Sequence, residues 1–303
     1  MNVLNVNKLV KQFGDFRALN EISFQIGKGE VFGFIGPNGA GKTTTIRTLL
    51  GVYKATSGYA SIFGKDVWKQ AEEIHKKLAY VPGDVNLWNN LTGGEVIDFF
   101  LRLNGKQNDL KKKELIERFD FDPKKKCRTY SKGNRQKVAL VAAFASDADF
   151  LILDEPTSGL DPLMESVFQE CVAESKEKGK SVLLSSHILS EVERLCDKVG
   201  IIKHGKIIET GTLDKLRHLT RTNVEIMASV SATQIEKIIG VHCVEQKDRL
   251  IKFQVDSEKI GEIMKQVSAF NIEKIEVTPM ALEDLFMHYY NENGDDINVK
   301  KSL

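Results

Sequence analysis

The stretch Gly36-Pro37-Asn38-Gly39-Ala40-Gly41-Lys42-Thr43-Thr44 has the residue types and spacing of a phosphate cradle. Its glycines let successive backbone N–H groups curl around an anion, and a helix start behind them adds unpaired N–H groups and a positive dipole end. In this reading Asn38 to Thr44 wrap the phosphates, Lys42 supplies a point charge for the β- and γ-phosphates, and the Thr43 hydroxyl can ligate Mg²⁺. Two further clusters fit the same chemistry. Asp154 closes a short apolar run, as a carboxylate must if it is to hold a Mg²⁺ without being buried unpaired. Glu155 can point at a water in line with the γ-phosphate and act as general base. His187, at another such run's end, can hydrogen-bond the γ-phosphate and position that water. Each group alone has a plainer explanation: a glycine-rich turn, an acidic helix cap, a surface imidazole. Together they favour a triphosphate site.

The elements around these residues are legible from their apolar periods. Val31 to Ile35 is a β-branched run of strand type; Ile46, Leu49 and Leu50 share a helical face, and Gly51 supplies a stop. Phe150 to Leu153 and Ser181 to Leu184 have the look of strands buried on both faces of a parallel sheet. Val199 to Lys203 and Lys206 to Glu209 form a hairpin across His204-Gly205. Strands alternating with helices predict an α/β sheet with ligand at the strands' carboxyl ends, where all three clusters fall. Ahead of this, Val3 to Lys11 and Ile22 to Ile26 are expected to be strands joined by a loop over Gln12 to Asn20, and Tyr53 to Asp66 a hairpin turning at Thr56-Ser57-Gly58. Phe13 would lie in that loop, where an aromatic ring either stacks on a base or is simply half-buried. Thr92 and Glu95 make a capping-box pattern ahead of Val96 to Leu103. Asn86 to Ser146 is therefore expected to be a helical insertion, with helices over Lys111 to Phe119 and Lys132 to Ser146 and its lysine runs on solvated faces.

Composition sets the limits. A chain of 303 residues accommodates one large domain and a smaller one, and the formal net charge of +1 gives no global pull toward nucleic acid. Cys127, Cys171, Cys196 and Cys243 are too widely spaced for a zinc site and suit reduced thiols. The longest apolar run, Val138 to Ala145, is far short of the roughly 18 residues of a membrane span. The start lacks the basic-then-apolar order of a signal peptide, so a cytoplasmic location is expected.

With Gly36 to Thr44, Tyr130-Ser131-Lys132-Gly133-Asn134-Arg135-Gln136, Leu151 to Pro156, Ser158-Gly159-Leu160-Asp161 and Ser186-His187 in this order and spacing, Met1 to Thr212 resembles the ATP-binding cassette ATPases. The resemblance implies a phosphate-loop NTPase cassette with an antiparallel β subdomain and a helical insertion at about 86–146. It implies ATP and Mg²⁺ as ligands, and adenine stacking on Phe13. It also implies a head-to-tail dimer in which Ser131, Gly133 and Asn134 of one subunit close over ATP held by the other, with Asp161 at the seam. With only one phosphate loop and one signature, the chain is expected to pair with a second subunit, a homodimer in the simplest case. Two departures stand out. Tyr130, Lys132 and Asn134 replace the first, third and fifth residues of Leu-Ser-Gly-Gly-Gln, and Gly83 stands where a glutamine is usual after Tyr80-Val81-Pro82, so that solvent or Asp84 must substitute.

The cassette is expected to span 1–215. From 216 to 290 the pattern changes to β-α-β-β-α-β, the ferredoxin-like order of a small α+β domain, closed by a helix over Met280 to Tyr290 and followed by a polar tail at 291–303. The single cassette, the small second domain and the segment Met280 to Phe286 resemble bacterial drug and multidrug exporter ATPases. That implies a peripheral motor on the inner face of the cell membrane, driving a separate permease that docks near Val85 to Leu103. The alternative is a soluble cassette ATPase acting on DNA, ribosomes or Fe–S assembly. The long coiled coil of the DNA-repair relatives and the paired cassettes of the ribosomal ones are not found here, and no nucleic-acid partner is expected.

Overall fold

The computed structural model describes residues 2–103, 109–213, 215 and 221–279. The expected closing helix over Met280 to Tyr290 and the tail beyond lie outside them. The chain divides into two compact units, Met1–Thr210 and Gly211–Leu303.

The first unit begins with two long strands, β1 (Asn2–Phe13) and β2 (Phe16–Gly27), then β3 (Val31–Ile35) and helix α1 (Lys42–Leu49). β4 (Ser57–Ile62), β5 (Lys65–Asp66), α2 (Ala71–His75) and β6 (Leu78–Val81) follow. The helical insertion carries α3 (Gly93–Leu103), α4 (Asp109–Arg118) and α5 (Lys132–Ala145). Returning to the sheet, the chain forms β7 (Phe150–Asp154), α6 (Pro162–Glu177), β8 (Ser181–Ser186), α7 (Leu189–Leu195), β9 (Lys198–Lys203) and β10 (Lys206–Thr212).

These strands make two sheets, β2-β1-β4-β5 and β10-β9-β3-β8-β7-β6. In the second, β9, β3, β8, β7 and β6 run parallel, and β3, β7 and β8 are buried along their whole length, which explains their unbroken apolar sequences. The sheets share one core: Phe24 of β2 stacks on Phe32 and Phe34 of β3 at centroid distances of 5.3 and 5.4 Å. This core fixes β3, and so the loop that leaves it.

Two local expectations are corrected. Gln12 to Asn20 is strand, closed by a tight turn in which Phe13 pairs with Phe16 and Gly14 takes φ 55°. Its polar residues resemble a loop in sequence because this end of the ribbon is solvated on both faces. The hairpin turn also falls elsewhere, at Phe63-Gly64, while Ser57 and Gly58 lie inside β4. Gly58 is needed there for close approach, since a Cβ would come within 2.0 Å of the Lys8 carbonyl where β1 bulges. The short helix α2 had no sequence signal of its own.

In the insertion the capping box forms as its residues dictate: the Thr92 amide donates to Glu95 Oε2 (2.6 Å) and the Glu95 amide to Thr92 Oγ1 (3.2 Å).

The second unit holds β11 (Arg221–Ala228), α8 (Ala232–Ile235), β12 (Val241–Lys247), β13 (Leu250–Asp256), α9 (Ile260–Val267) and β14 (Ile272–Pro279). Its antiparallel sheet, β12-β13-β11-β14, has the ferredoxin-like order. Val224, Ile226, Ile251, Phe253 and Val255 pack with Ile263 and Val267 of α9 to form a separate core.

Candidate functional site

β3, β7 and β8 are neighbours running in one direction, so the loops leaving their carboxyl ends converge. The first is the glycine loop. Gly41 ends it at φ 114°, a conformation that L side chains rarely adopt, and α1 begins at Lys42 with no side-chain cap, leaving its first N–H groups to the loop. Lys42 is buried, and its Nζ donates to the carbonyls of Gly36 (2.6 Å) and Pro37 (3.3 Å). It stands 3.5 Å from Glu155 Oε1. An ammonium held by backbone oxygens beside the start of an uncapped helix suits an anion.

Asp154 ends β7 and is buried. Thr43 Oγ1 donates to its Oδ2 (3.1 Å), and Ser185, its register partner on β8, donates to its Oδ1. Burial pushes this carboxyl's pKa up, against the two hydroxyls that pull it down. A hydroxyl and a carboxylate side by side are hard oxygen donors, the set Mg²⁺ takes together with phosphate oxygens. Glu155 follows at φ 47°, a left-handed backbone costing roughly 1–3 kcal/mol. The strain is held by its amide, which donates to Ser185 O (3.0 Å) and Oγ (3.2 Å). The turn swings the carboxylate out of the sheet between Lys42 and His187, whose Nδ1 lies 3.5 Å from Glu155 Oε2. His187 itself is half exposed.

Lys42, Thr43, Asp154, Glu155 and His187 are thus in one chain of contacts. The signature residues make different ones. Ser131 caps α5, accepting from the Asn134 amide (3.2 Å). Gly133 lies against the turn after Glu155 so closely that a Cβ would stand 2.4 Å from the Gly159 carbonyl. Lys132 Nζ donates to Ser158 Oγ (2.7 Å) and the buried Gln136 donates to the Pro156 carbonyl (2.9 Å). Ser131 stays exposed at the surface. Asp161 caps α6 by accepting from the Met164 amide (3.0 Å). The departure at Tyr130 belongs to packing: the ring is buried edge-on to Phe121, and its hydroxyl, its pKa pushed up to about 12 chiefly by burial, donates to the Asp122 carbonyl. Gly83 borders the acidic pair, since a Cβ there would lie 3.2 Å from the Asp154 carbonyl and 3.6 Å from Glu155 Cβ.

Phe13 stands at the end of β1, partly exposed, edge-on to Tyr53 at 5.2 Å. Lys11 Nζ lies over its ring at 4.7 Å, and Arg47 of α1 donates to the Tyr53 hydroxyl (3.1 Å). Sequence reasoning passed over Tyr53 and Ser185. Ser185 was recoverable in principle, as a hydroxyl closing a buried strand, once β8 is known to lie beside β7.

Residues 19–158 match the family model described as ABC transporter, and residues 211–290 match the one described as ATP-binding protein DrrA1-3-like, C-terminal domain. The chain is 33% identical over 293 residues to an uncharacterised ABC transporter ATP-binding protein of Methanocaldococcus jannaschii, covering 94% of this chain and 98% of that one. It is 32% identical to the bacitracin transport ATP-binding protein BcrA of Bacillus licheniformis, covering 94% and 96%. Among solved structures, an ATP-binding subunit of an ABC transporter superposes with a TM-score of 0.67 at 33% identity, over 72% of this chain and 92% of that one.

Proposed function

The chain belongs to the ABC transporter family as an ATP-binding, ATP-hydrolysing subunit, and from that premise we propose that it powers export through a separate membrane permease, with the following division of labour. Lys42 and the amides of Asn38 to Thr44 hold the triphosphate, and Phe13 carries the adenine, with Tyr53 bracing its ring. Thr43 and Asp154 would hold Mg²⁺, which when bound neutralises charge building on the β- and γ-phosphates. Glu155 takes the proton from an attacking water as the water oxygen bonds to the γ-phosphorus and the bond to ADP breaks. His187 holds that water and the γ-phosphate in line. Ser131, Gly133 and Asn134 of a second copy close over the phosphates, presenting a capped helix start to the negative charge.

The observation that carries this reading is the placement of the Glu155 carboxylate between the Lys42 ammonium and the His187 imidazole, 3.5 Å from each. No helix among the described residues is long and apolar enough to cross a membrane, which supports a separate permease. Similarity to a bacitracin transport ATP-binding protein supports a role in transport. The docking surface is assigned to the exposed aromatic group Trp88, Phe99 and Phe100, with ring centroids 5.2 to 6.0 Å apart, on the inner face of the membrane. The test is Glu155→Gln. It should bind ATP, lose turnover by about 10²-fold or more, and elute with ATP as a dimer in size exclusion. Wild-type turnover would exclude Glu155 as base.

A further inference from the structure

One side chain pins the peptide on both sides of His187. Ser186 Oγ accepts from the Ile188 amide (3.0 Å) and donates to Glu191 Oε2 (2.6 Å). Glu191 sits in the first turn of α7 and is only 5% exposed. Its other oxygen, Oε1, is buried and has no hydrogen-bond partner among the described residues. Thr157 belongs to the turn that follows Glu155. Its carbonyl accepts from the Leu160 amide (2.9 Å), and the Ser158 amide donates to the Glu155 carbonyl (3.1 Å). A buried carboxylate with one orphaned oxygen is costly, and an apolar side chain would fill the same space without that cost.

We propose that Glu191 is a positioning residue: its carboxyl clasps the Ser186 hydroxyl, fixes the turn that carries His187 and so holds the imidazole at its working distance from the Glu155 carboxylate. This rests on the roles given above to His187 and Glu155. Burial pushes the Glu191 pKa up, the nearby Glu165 and Glu155 carboxylates add to the rise, and the Ser186 and Thr157 hydroxyls oppose it. Cys196 also faces it, its own thiol pushed up by burial first and by Glu191 next. The clasp needs an acceptor oxygen opposite the Ser186 hydroxyl, and Oε2 supplies it. Glutamine reproduces that pattern and alanine removes it.

ATPase rates of the purified full-length chain against ATP concentration test this. Glu191→Ala should lower kcat about tenfold or more while the KM for ATP changes less than about twofold, because misplacement slows chemistry rather than binding. Glu191→Gln should recover most of the lost kcat. Combined with His187→Ala, Glu191→Ala should add little further loss, because both act on one group. A wild-type kcat in Glu191→Ala, a Glu191→Gln as slow as Glu191→Ala, or full additivity with His187→Ala would each overturn the proposal. If His187→Ala alone turns over normally, the reading of the site falls and this proposal with it; if His187→Ala is slow and Glu191→Ala is not, only the proposal falls. Should Glu191→Ala fail to fold, Ser186→Ala opens the same clasp with less lost volume, and it must show the same kcat loss or the proposal is wrong.

Discussion

At the scale of single residues, the proposed site makes the Lys42 ammonium decide whether the cradle can hold a triphosphate. It is buried, so its charge acts at low effective dielectric, and Lys42→Ala leaves the loop with backbone dipoles alone. ATP affinity should fall by about 10²-fold or more, on the scale of a buried charged contact, as read by calorimetric titration. An unchanged Kd would remove Lys42 from the site. The residues proposed for this chemistry were legible because each needs a fixed chemical type at a fixed place: amides in a glycine loop, an ammonium after it, carboxylates at a strand end. Tyr53 was not. It follows α1 by a few residues and meets Phe13 only because β1 and α1 are brought together by the fold. Ser185 was hidden for a similar reason, as its meaning lies in its register with Asp154 across two parallel strands.

At the scale of elements, helix caps and the core between the sheets set the positions of these groups. The Thr92 box satisfies two donors at the start of α3, so Thr92→Ala should cost about 1 kcal/mol in urea unfolding. Phe24 holds β2 against β3 beneath the phosphate loop, and Phe24→Ala should cost about 3–5 kcal/mol with a matching loss of ATP binding at moderate temperature. Buried Glu191 has the opposite sign. A carboxyl whose pKa is raised on folding binds more protons in the native state, so stability falls as pH rises from its unfolded value, near 4.5, through the raised native one. Thermal unfolding of Glu191→Gln should therefore decline less over that window than that of the native chain, and parallel curves would show that the carboxyl does not titrate there. Apolar period gave the parallel strands and the long helices readily. It failed at the Gln12 to Asn20 ribbon, where Gln12 to Arg17 are exposed on both faces, and at Gly58, where glycine serves a close backbone approach that looks in sequence like a turn.

At the scale of the whole molecule, the formal charge of +1 offers no steering toward a polyanion, whereas Trp88, Phe99, Phe100 and Leu103 leave a large apolar area in water. The adjacent Phe99 and Phe100 of α3 face solvent, whereas Val96, Ile97 and Leu101 of the same helix fill the core beneath. An apolar patch of this kind on an otherwise charged surface marks a partner, and in the function proposed above that partner is the permease. The proposed assignment predicts that a chain carrying Trp88→Ser with Phe100→Ser, expressed in its native host, leaves the membrane fraction for the soluble one. The unfolding transition of the purified variant, still cooperative, would show that the core is intact. A variant that stays on the membrane as firmly as the native chain would place the docking surface elsewhere. Interface hot spots of this type are enriched in tryptophan, so the single change Trp88→Ser should account for most of the effect, weakening the complex by about 2 kcal/mol or more.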